Sequence, residues 1–141
     1  MEQRISFFTI GVRNLEKMKN FYNKVFDWSP IKDSDGIVFY KLNGFIFSLF
    51  PVEELAEDIS IPNDGHGFKQ VSLAINMDSE ASVDALYSEL VAKGAIAVKQ
   101  PEKVFWGGYR GYLSDIENNY WELAYNPFLK MDAKGNVQGH P

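Results

Sequence analysis

The sequence repeats one order of predicted elements, and this repetition constrains the fold more than any other feature. Each half is predicted to contain a strand, a helix and then three strands. Aligning Phe7 with Gln70 gives an offset of 70 − 7 = 63 residues, and aligning Tyr22 with Tyr87 gives 87 − 22 = 65. A two-residue difference in a loop would explain the two offsets. The pattern therefore predicts two tandem βαβββ modules of the same design.

The first module begins with the strand RISFFTIGV and continues into a helix that Asn14 is placed to cap. Apolar residues at three- and four-residue spacing predict the buried face of this helix: Leu15, Met18, Phe21, Tyr22, Val25 and Phe26. The dipeptides Asp35-Gly36 and Asn43-Gly44 then separate apolar runs, and both are typical of hairpin turns. We therefore expect three antiparallel strands, followed by a short helical turn.

The second module repeats this order from the strand FKQVSLAINM. Asp78 or Ser79 is placed to cap its helix, and Gly94 is placed to end it. The predicted apolar face of this helix consists of Val83, Leu86, Tyr87, Leu90 and Val91. The last three strands are predicted in AIAVKQPEKV, GGYRGYLS and NYWELAYNP.

Length and composition favour a single domain with a substantial core. The chain has 141 residues, of which 45% are hydrophobic. We expect one α+β domain over residues 1–127, made of module 1 (1–60) and module 2 (66–127). Residues 128–141 are polar and contain glycine and proline, so we expect a loosely ordered C-terminal tail.

Charge and residue usage disfavour several classes of partner. The net charge of −5, with scattered Lys and Arg, disfavours nucleic acid binding. The sequence contains no long apolar run and no signal-peptide pattern, so we expect no membrane association and a cytoplasmic location. Without cysteine, and with only His66 and His140, transition-metal ligands are scarce.

Strand alternation predicts which residues point away from the helices. If Phe8, Ile10 and Val12 face the first helix, the opposite face of that strand carries Phe7, Thr9 and Gly11. The same rule places Gln70, Ser72 and Ala74, and Tyr120, Glu122 and Ala124, on the face opposite the second helix. Small and polar residues mixed with aromatics suit a cavity better than a packed core.

Two segments resemble the vicinal oxygen chelate superfamily, which includes glyoxalase I, bleomycin-resistance proteins and extradiol dioxygenases. They are ISFFTIGVRNLEKMKNFYNKVF and GYLSDIENNYWELAYNP. The resemblance implies a glyoxalase-like fold, in which two modules form curved mixed sheets around a cavity. It also implies that the modules pair within the chain or across a dimer, and we expect a homodimer.

The resemblance places the metal positions of the family at Phe7, Ser48, Gln70 and Glu122. Of these, only Glu122 is a strong ligand, because Phe offers no donor and Ser and Gln are weak neutral ligands. His66 lies too far along the strand to act as a metal ligand at these positions. His140 could reach them only if the tail folded back over the cavity. We therefore expect no cofactor, with a weakly bound divalent metal at Gln70 and Glu122 as the alternative.

Glu122 is an isolated acid among apolar residues, so it needs a partner. If residues 115–119 form a loop, Tyr112 faces Glu122 and Arg110 lies diagonally across from it. We predict that Glu122 pairs with Arg110. The glycines of FWGGYRGY at 107, 108 and 111 indicate a bulge or a close approach by another group.

The predicted function is binding of a small, aromatic or cationic molecule in a metal-poor cavity. The predicted ligand-binding residues are Phe7, Thr9, Ser48, Gln70, Trp106, Tyr109, Arg110, Tyr112, Tyr120 and Glu122. A glyoxalase-like lyase or isomerase is the alternative, either metal-free with Glu122 as general base or metal-dependent through Gln70 and Glu122. The structural alternative is that Glu122 and Arg110 only stabilise the cavity wall.

Overall fold

The computed structural model describes residues 3, 5–34 and 36–139, and it divides into two compact units, Met1–Gly67 and Phe68–Pro141. The first unit contains β1 (Phe7–Val12), α1 (Leu15–Lys24), β2 (Lys32–Ser34), β3 (Ile37–Lys41), β4 (Ile46–Pro51) and α2 (Val52–Ile59). The second contains β5 (Ser72–Met77), α3 (Glu80–Lys93), β6 (Ile96–Lys103), β7 (Tyr109–Ser114), β8 (Tyr120–Tyr125), β9 (Lys130–Met131) and β10 (Val137–Gly139). The predicted α+β class and the βαβββ order of both halves are confirmed.

Each unit has a four-stranded mixed sheet of the same topology. The strand orders are β1-β4-β3-β2 and β5-β8-β7-β6. In both sheets the first strand of the unit pairs in parallel with the fourth, and the other neighbours are antiparallel. The helix after the first strand supplies the crossover that a parallel pair requires.

Local capping explains where the two crossover helices begin and end. The Asn14 side chain accepts a hydrogen bond from the backbone N–H of Lys17 at 2.9 Å, as predicted. Ser79 caps α3 by accepting from the N–H of Ser82 at 3.1 Å. Gly94 ends α3 with φ +123°, a backbone conformation that favours glycine.

The predicted Asn43-Gly44 turn is confirmed. Gly44 has φ +90°, and the N–H of Leu42 donates to the carbonyl of Phe45 at 2.9 Å. The antiparallel pairing of β2 and β3 fits the other predicted turn, although Asp35 lies outside the described residues.

Both helices bury their predicted apolar faces against one side of their sheet. The first core contains Val12, Met18, Phe21, Tyr22, Val25, Val38, Tyr40, Phe47 and Leu49. Aromatic rings dominate it, and Tyr22 packs edge-on against Phe47 with the ring centroids 5.3 Å apart. The second core contains Val83, Tyr87, Leu90, Leu113, Trp121 and Leu123.

Two features of the fold were not predicted. The strand β5 begins at Ser72, so the strand starts differ by 72 − 7 = 65 residues and the helix starts by 80 − 15 = 65. The two-residue loop difference inferred from Gln70 is therefore not needed. In addition, the predicted tail contains the antiparallel hairpin of β9 and β10.

None of the helices in the described part of the chain combines the length and the apolar character needed to span a membrane.

Candidate functional site

In the second unit, a polar face lies on the side of the sheet opposite α3. Trp121, Leu123 and Leu113 are buried on the α3 side, so strand alternation places the neighbouring residues Tyr112 and Glu122 on the other side. The register pairs Tyr112 with Glu122 and Ser114 with Tyr120, as predicted. We call this side the open face of the second sheet.

Tyr112 is the cross-strand neighbour of Glu122 on this face. Burial is the main cause that raises the pKa of the Tyr112 phenol above its ordinary value. The charge of the nearby Glu122 carboxylate raises that pKa further, and the charge of Arg110 opposes the rise. The phenol therefore holds its proton more tightly than an ordinary tyrosine does.

The predicted ion pair between Arg110 and Glu122 is wrong. The Arg110 Nη1 atom lies 3.3 Å from Glu102 Oε1 on β6, and Lys99 Nζ lies 2.7 Å from the same oxygen. The reason is the register, which pairs Glu102 with Arg110 across two irregularities in β6. The guanidinium carbon also lies 5.5 Å from the centre of the Tyr112 ring, in cation–π geometry.

The prediction that glycines mark a close approach is confirmed at two positions. A Cβ on Gly111 would lie 2.9 Å from Lys99 O and 2.9 Å from Pro101 N, which are backbone atoms of the irregular β6. A Cβ on Gly108 would lie 1.9 Å from the ring of Trp106. The indole of Trp106 therefore packs on the backbone of Gly108.

Tyr109 does not share the open face with Tyr112 and Glu122. It precedes Tyr112 by three residues, so strand alternation places it on the α3 side. There its phenol donates to Asp84 Oδ1 of α3 at 2.8 Å. This hydrogen bond is the main cause that raises the pKa of Tyr109. Tyr120 remains on the open face and contacts Phe68, with the ring centroids 6.3 Å apart.

The corresponding face of the first sheet carries Phe7, Thr9 and Ser48. Thr9 and Ser48 pair across the parallel strands, and their hydroxyl oxygens lie 2.5 Å apart. Ser48 is fully buried, and Phe7 packs edge-on against Phe39 at 6.1 Å. The serine hydroxyl therefore has a partner within its own sheet.

Helix α2 covers one end of this face. A Cβ on Gly11 would lie 3.0 Å from Val52 Cγ2 and 3.3 Å from Leu55 Cδ2. The predicted open volume next to Gly11 is therefore filled by α2, and the end near Phe7, which is 53% exposed, stays uncovered.

The donor set does not fit the metal site that the sequence resemblance implies. Gln70 is exposed, has φ +59° and lies outside β5, so the predicted strand position beside Glu122 is wrong. His66 also lies outside the strands, and His140 is outside the described residues. Within residues 3, 5–34 and 36–139, no three His, Cys, Asp or Glu side chains cluster closely enough to hold a metal.

The acidic turn in DIENNYWEL has a structural role that the sequence did not show. Asp115 is fully buried and accepts hydrogen bonds from the N–H groups of Glu117 and Asn119 and from the Asn119 amide, at 2.7–3.0 Å. Lys69 donates to Glu117 O and Asn119 Oδ1 at 3.1 and 2.9 Å. This network fixes the segment before β5 against the turn before β8.

The chain resembles one well-defined group of proteins. A family model described as the glyoxalase/bleomycin resistance protein/dioxygenase superfamily matches residues 4–123. The chain is 31% identical to a glyoxalase-related enzyme from Fulvimarina pelagi, with a TM-score of 0.88 over 99% of this chain and 100% of that one. No curated protein matches the sequence.

Two less similar structures share the fold. A lactoylglutathione lyase from Agrobacterium tumefaciens is 21% identical, with a TM-score of 0.70 over 89% of this chain and 96% of that one. A glyoxalase/bleomycin resistance protein/dioxygenase from Nocardioides is 18% identical, with a TM-score of 0.80 over 100% of this chain and 91% of that one.

Proposed function

The chain belongs to the glyoxalase/bleomycin resistance protein/dioxygenase superfamily, and from this premise we propose that it binds a small organic molecule with Glu122 as the charged anchor. The observation that supports this proposal most is the separation of Glu122 from Arg110. Because Arg110 pairs with Glu102, the Glu122 carboxylate forms no ion pair with a described residue. A half-buried carboxylate of this kind can recognise a cation or a hydrogen-bond donor.

The surroundings of Glu122 favour a ligand with an aromatic or cationic part. Tyr112 and Tyr120 lie on the same face and are both half-buried, so their rings are partly available for stacking. The Tyr112 phenol faces the Glu122 carboxylate across β7 and β8. The ligand would therefore stack on a phenol ring and place a positive or donor group at Glu122.

A matched pair of ligands tests this role of Glu122. Naphthylmethylamine is cationic at neutral pH, and naphthalenemethanol is a neutral molecule of similar shape. In calorimetric titrations, Glu122→Gln should weaken binding of the amine roughly fivefold and change binding of the alcohol less than about twofold, since a charge-assisted contact is worth about 1 kcal/mol more than a neutral one. Equal losses for the two ligands would contradict the proposal.

A second substitution controls for the change in net charge. Glu89 lies on the exposed side of α3 and pairs with Lys93 at 2.8 Å. Glu89→Gln removes the same charge from the same unit at a position away from the open face. Binding of both ligands should therefore be unchanged. A loss of amine binding in this control would show that the overall charge of the protein explains the effect.

A second candidate function is metal-free lyase or isomerase activity with Glu122 as general base. The cross-strand pairing of Tyr112 with Glu122 favours it, because a carboxylate beside a phenol of raised pKa can accept a proton while the phenol stabilises the developing charge. Both groups lie on a face that is not covered by α3.

Hydrogen exchange into carbon acids distinguishes an enzyme from a binding protein. If Glu122 removes a proton from carbon, the protein should incorporate solvent deuterium into a bound carbon acid, as followed by NMR. Glu122→Gln should abolish this exchange, and Tyr112→Phe should slow it by about tenfold to a hundredfold. Exchange that persists in Glu122→Gln would remove Glu122 from the mechanism.

The available side chains support a function that does not require a transition metal. Phe7 has no donor atom, Ser48 is paired with Thr9, and Gln70 lies outside β5. A divalent ion at Glu122 would therefore receive one carboxylate from these positions, which is a weak site. We expect metals added to the protein to raise its melting temperature little, in contrast to a true ligand.

A further inference from the structure

A pocket of about 420 Å³ lies at the uncovered end of the first sheet. Its floor consists of three neighbouring residues on adjacent strands: Phe7 on β1, Ile46 on β4 and Lys41 on β3. Ile46 pairs with both of the others. Its walls come from the β3–β4 turn and from the residues before β1 and β2: Ser6, Ile31, Leu42, Gly44 and Phe45. We call it the Lys41 pocket.

Most of the lining of this pocket is apolar, and part of it is exposed. Phe7 and Ile31 are 53% and 57% exposed. The Phe7 ring also contacts the Phe39 ring edge-on, with the centroids 6.1 Å apart. Covering these two side chains with an apolar molecule would remove their surface from water, which is favourable.

Lys41 gives the pocket its charge. Among the described residues of the lining it is the one that carries a charge, and its side chain forms no ion pair with a described residue. An ammonium beside an apolar floor is complementary to a molecule with an apolar body and a negatively charged group at one end.

We infer that the Lys41 pocket binds a small aromatic anion, of the aryl carboxylate or aryl sulfonate class. Phe7, Ile31 and Ile46 would contact the aromatic body, and Lys41 would pair with the anionic group. A volume of about 420 Å³ falls within the usual range for small-molecule sites. The described residues that line the pocket all lie in the first unit, so substitutions in the pocket and substitutions at Glu122 can be tested independently.

Two fluorescent probes of similar shape test the inference. Anilinonaphthalene sulfonate carries an anionic group, and phenylnaphthylamine is its neutral counterpart. Lys41→Met should weaken binding of the sulfonate roughly threefold to fivefold, the usual effect of losing a solvent-exposed ion pair. Binding of the neutral probe should change less than about twofold. Lys24→Met is the control, because Lys24 is an exposed lysine of α1 outside the pocket.

A second pair of variants tests the location of the site. Ile31→Glu places a negative charge in the pocket wall, so it should weaken the sulfonate more than Lys41→Met does and should also weaken the neutral probe. Ile61→Glu is the matched control, because Ile61 is 55% exposed and does not line the pocket. Both substituted side chains are exposed, so the fold should tolerate them.

Three results would overturn the inference. The first is equal weakening of the two probes by Lys41→Met, which would mean that Lys41 does not recognise charge. The second is unchanged sulfonate binding in Ile31→Glu, which would place the probe elsewhere. The third is sulfonate binding that disappears as the protein dimerises in sedimentation experiments, which would show that a second copy covers the pocket. None of these results bears on Glu122.

Discussion

Tyr112 and Glu122 face each other across the antiparallel strands β7 and β8, and the charge of the Glu122 carboxylate raises the pKa of the Tyr112 phenol. This register explains how the chain can place a carboxylate between Trp121 and Leu123. The two apolar residues point to the α3 side, and Glu122 points to the open face, opposite the Tyr112 phenol.

The first prediction concerns the ionisation of Tyr112. Its pKa is raised by burial first and by the Glu122 carboxylate second, so Glu122→Gln should lower this pKa but leave it above the ordinary value of about 10. The difference in tyrosinate absorbance between the protein and its Tyr112→Phe variant isolates this phenol from the other tyrosines. An unchanged pKa in Glu122→Gln would mean that the carboxylate does not contact Tyr112.

The same shift has a consequence for stability at high pH. The pKa of Tyr112 is higher in the folded than in the unfolded state, so the folded state binds this proton more tightly. The associated stabilisation is fully present below the unfolded pKa and is lost as the pH rises through the folded value. Tyr112→Phe should therefore show a smaller loss of stability above about pH 10 than the unchanged protein.

The second prediction is that Arg110→Ala affects stability little. Its ion pair with Glu102 joins a largely buried guanidinium to a carboxylate that is 52% exposed and is also held by Lys99. Because the Glu102 side of this pair is exposed, solvent screens the interaction and its contribution is small. Urea unfolding should therefore show a small change in midpoint. A large loss, comparable to that of a core substitution, would indicate that Arg110 supports Glu122 after all.

The fold was predictable because its signals are local. Alternating apolar residues, the Asn14 and Ser79 caps and the Asn43-Gly44 turn each depend on a few neighbouring residues, and all appear in the structure. The register of β7 and β8 was also predictable, because a five-residue loop fixes it.

The contacts of the site were less predictable because they depend on irregular structure. Glu102 reaches Arg110 only because β6 departs from regular register, and the sequence signal for this was Gly111. Gln70 lies just before β5 and not in it. Its neighbour Lys69 donates a hydrogen bond to Asn119 in the turn before β8. Neither arrangement follows from strand alternation, which assumes regular strands.

The third prediction concerns Gly111. Its substitution by Ala places a Cβ 2.9 Å from backbone atoms of Lys99 and Pro101, and the backbone cannot move as easily as a side chain. Gly111→Ala should lower the free energy of unfolding by roughly 1–3 kcal/mol, as overpacking does. Gly65→Ala is the control, because nothing lies within 4 Å of a Cβ there. If both variants unfold alike, β6 does not approach Gly111 closely.

The fourth prediction compares two turns with the same D-x-x-x-N spacing. Asp132 accepts hydrogen bonds from Lys134 N, Asn136 N and the Asn136 amide at 2.8–2.9 Å, as Asp115 does in its own turn. The two carboxylates differ in burial, since Asp115 is fully buried and Asp132 is exposed. Gln138 Nε2 also donates to Asp132 at 3.3 Å, so the exposed carboxylate does not lack hydrogen bonds, and the comparison tests the effect of burial.

Asp115→Ala should lower the free energy of unfolding by roughly 2–4 kcal/mol, because several buried donors lose their acceptor and water cannot easily replace it. Asp132→Ala should have a much smaller effect, since water can solvate the donors that it leaves. Urea unfolding of both variants measures the difference. Equal losses of unfolding free energy in the two variants would contradict this prediction. They would mean that the hydrogen bonds of the turn, and not the burial of Asp115, determine its contribution to stability.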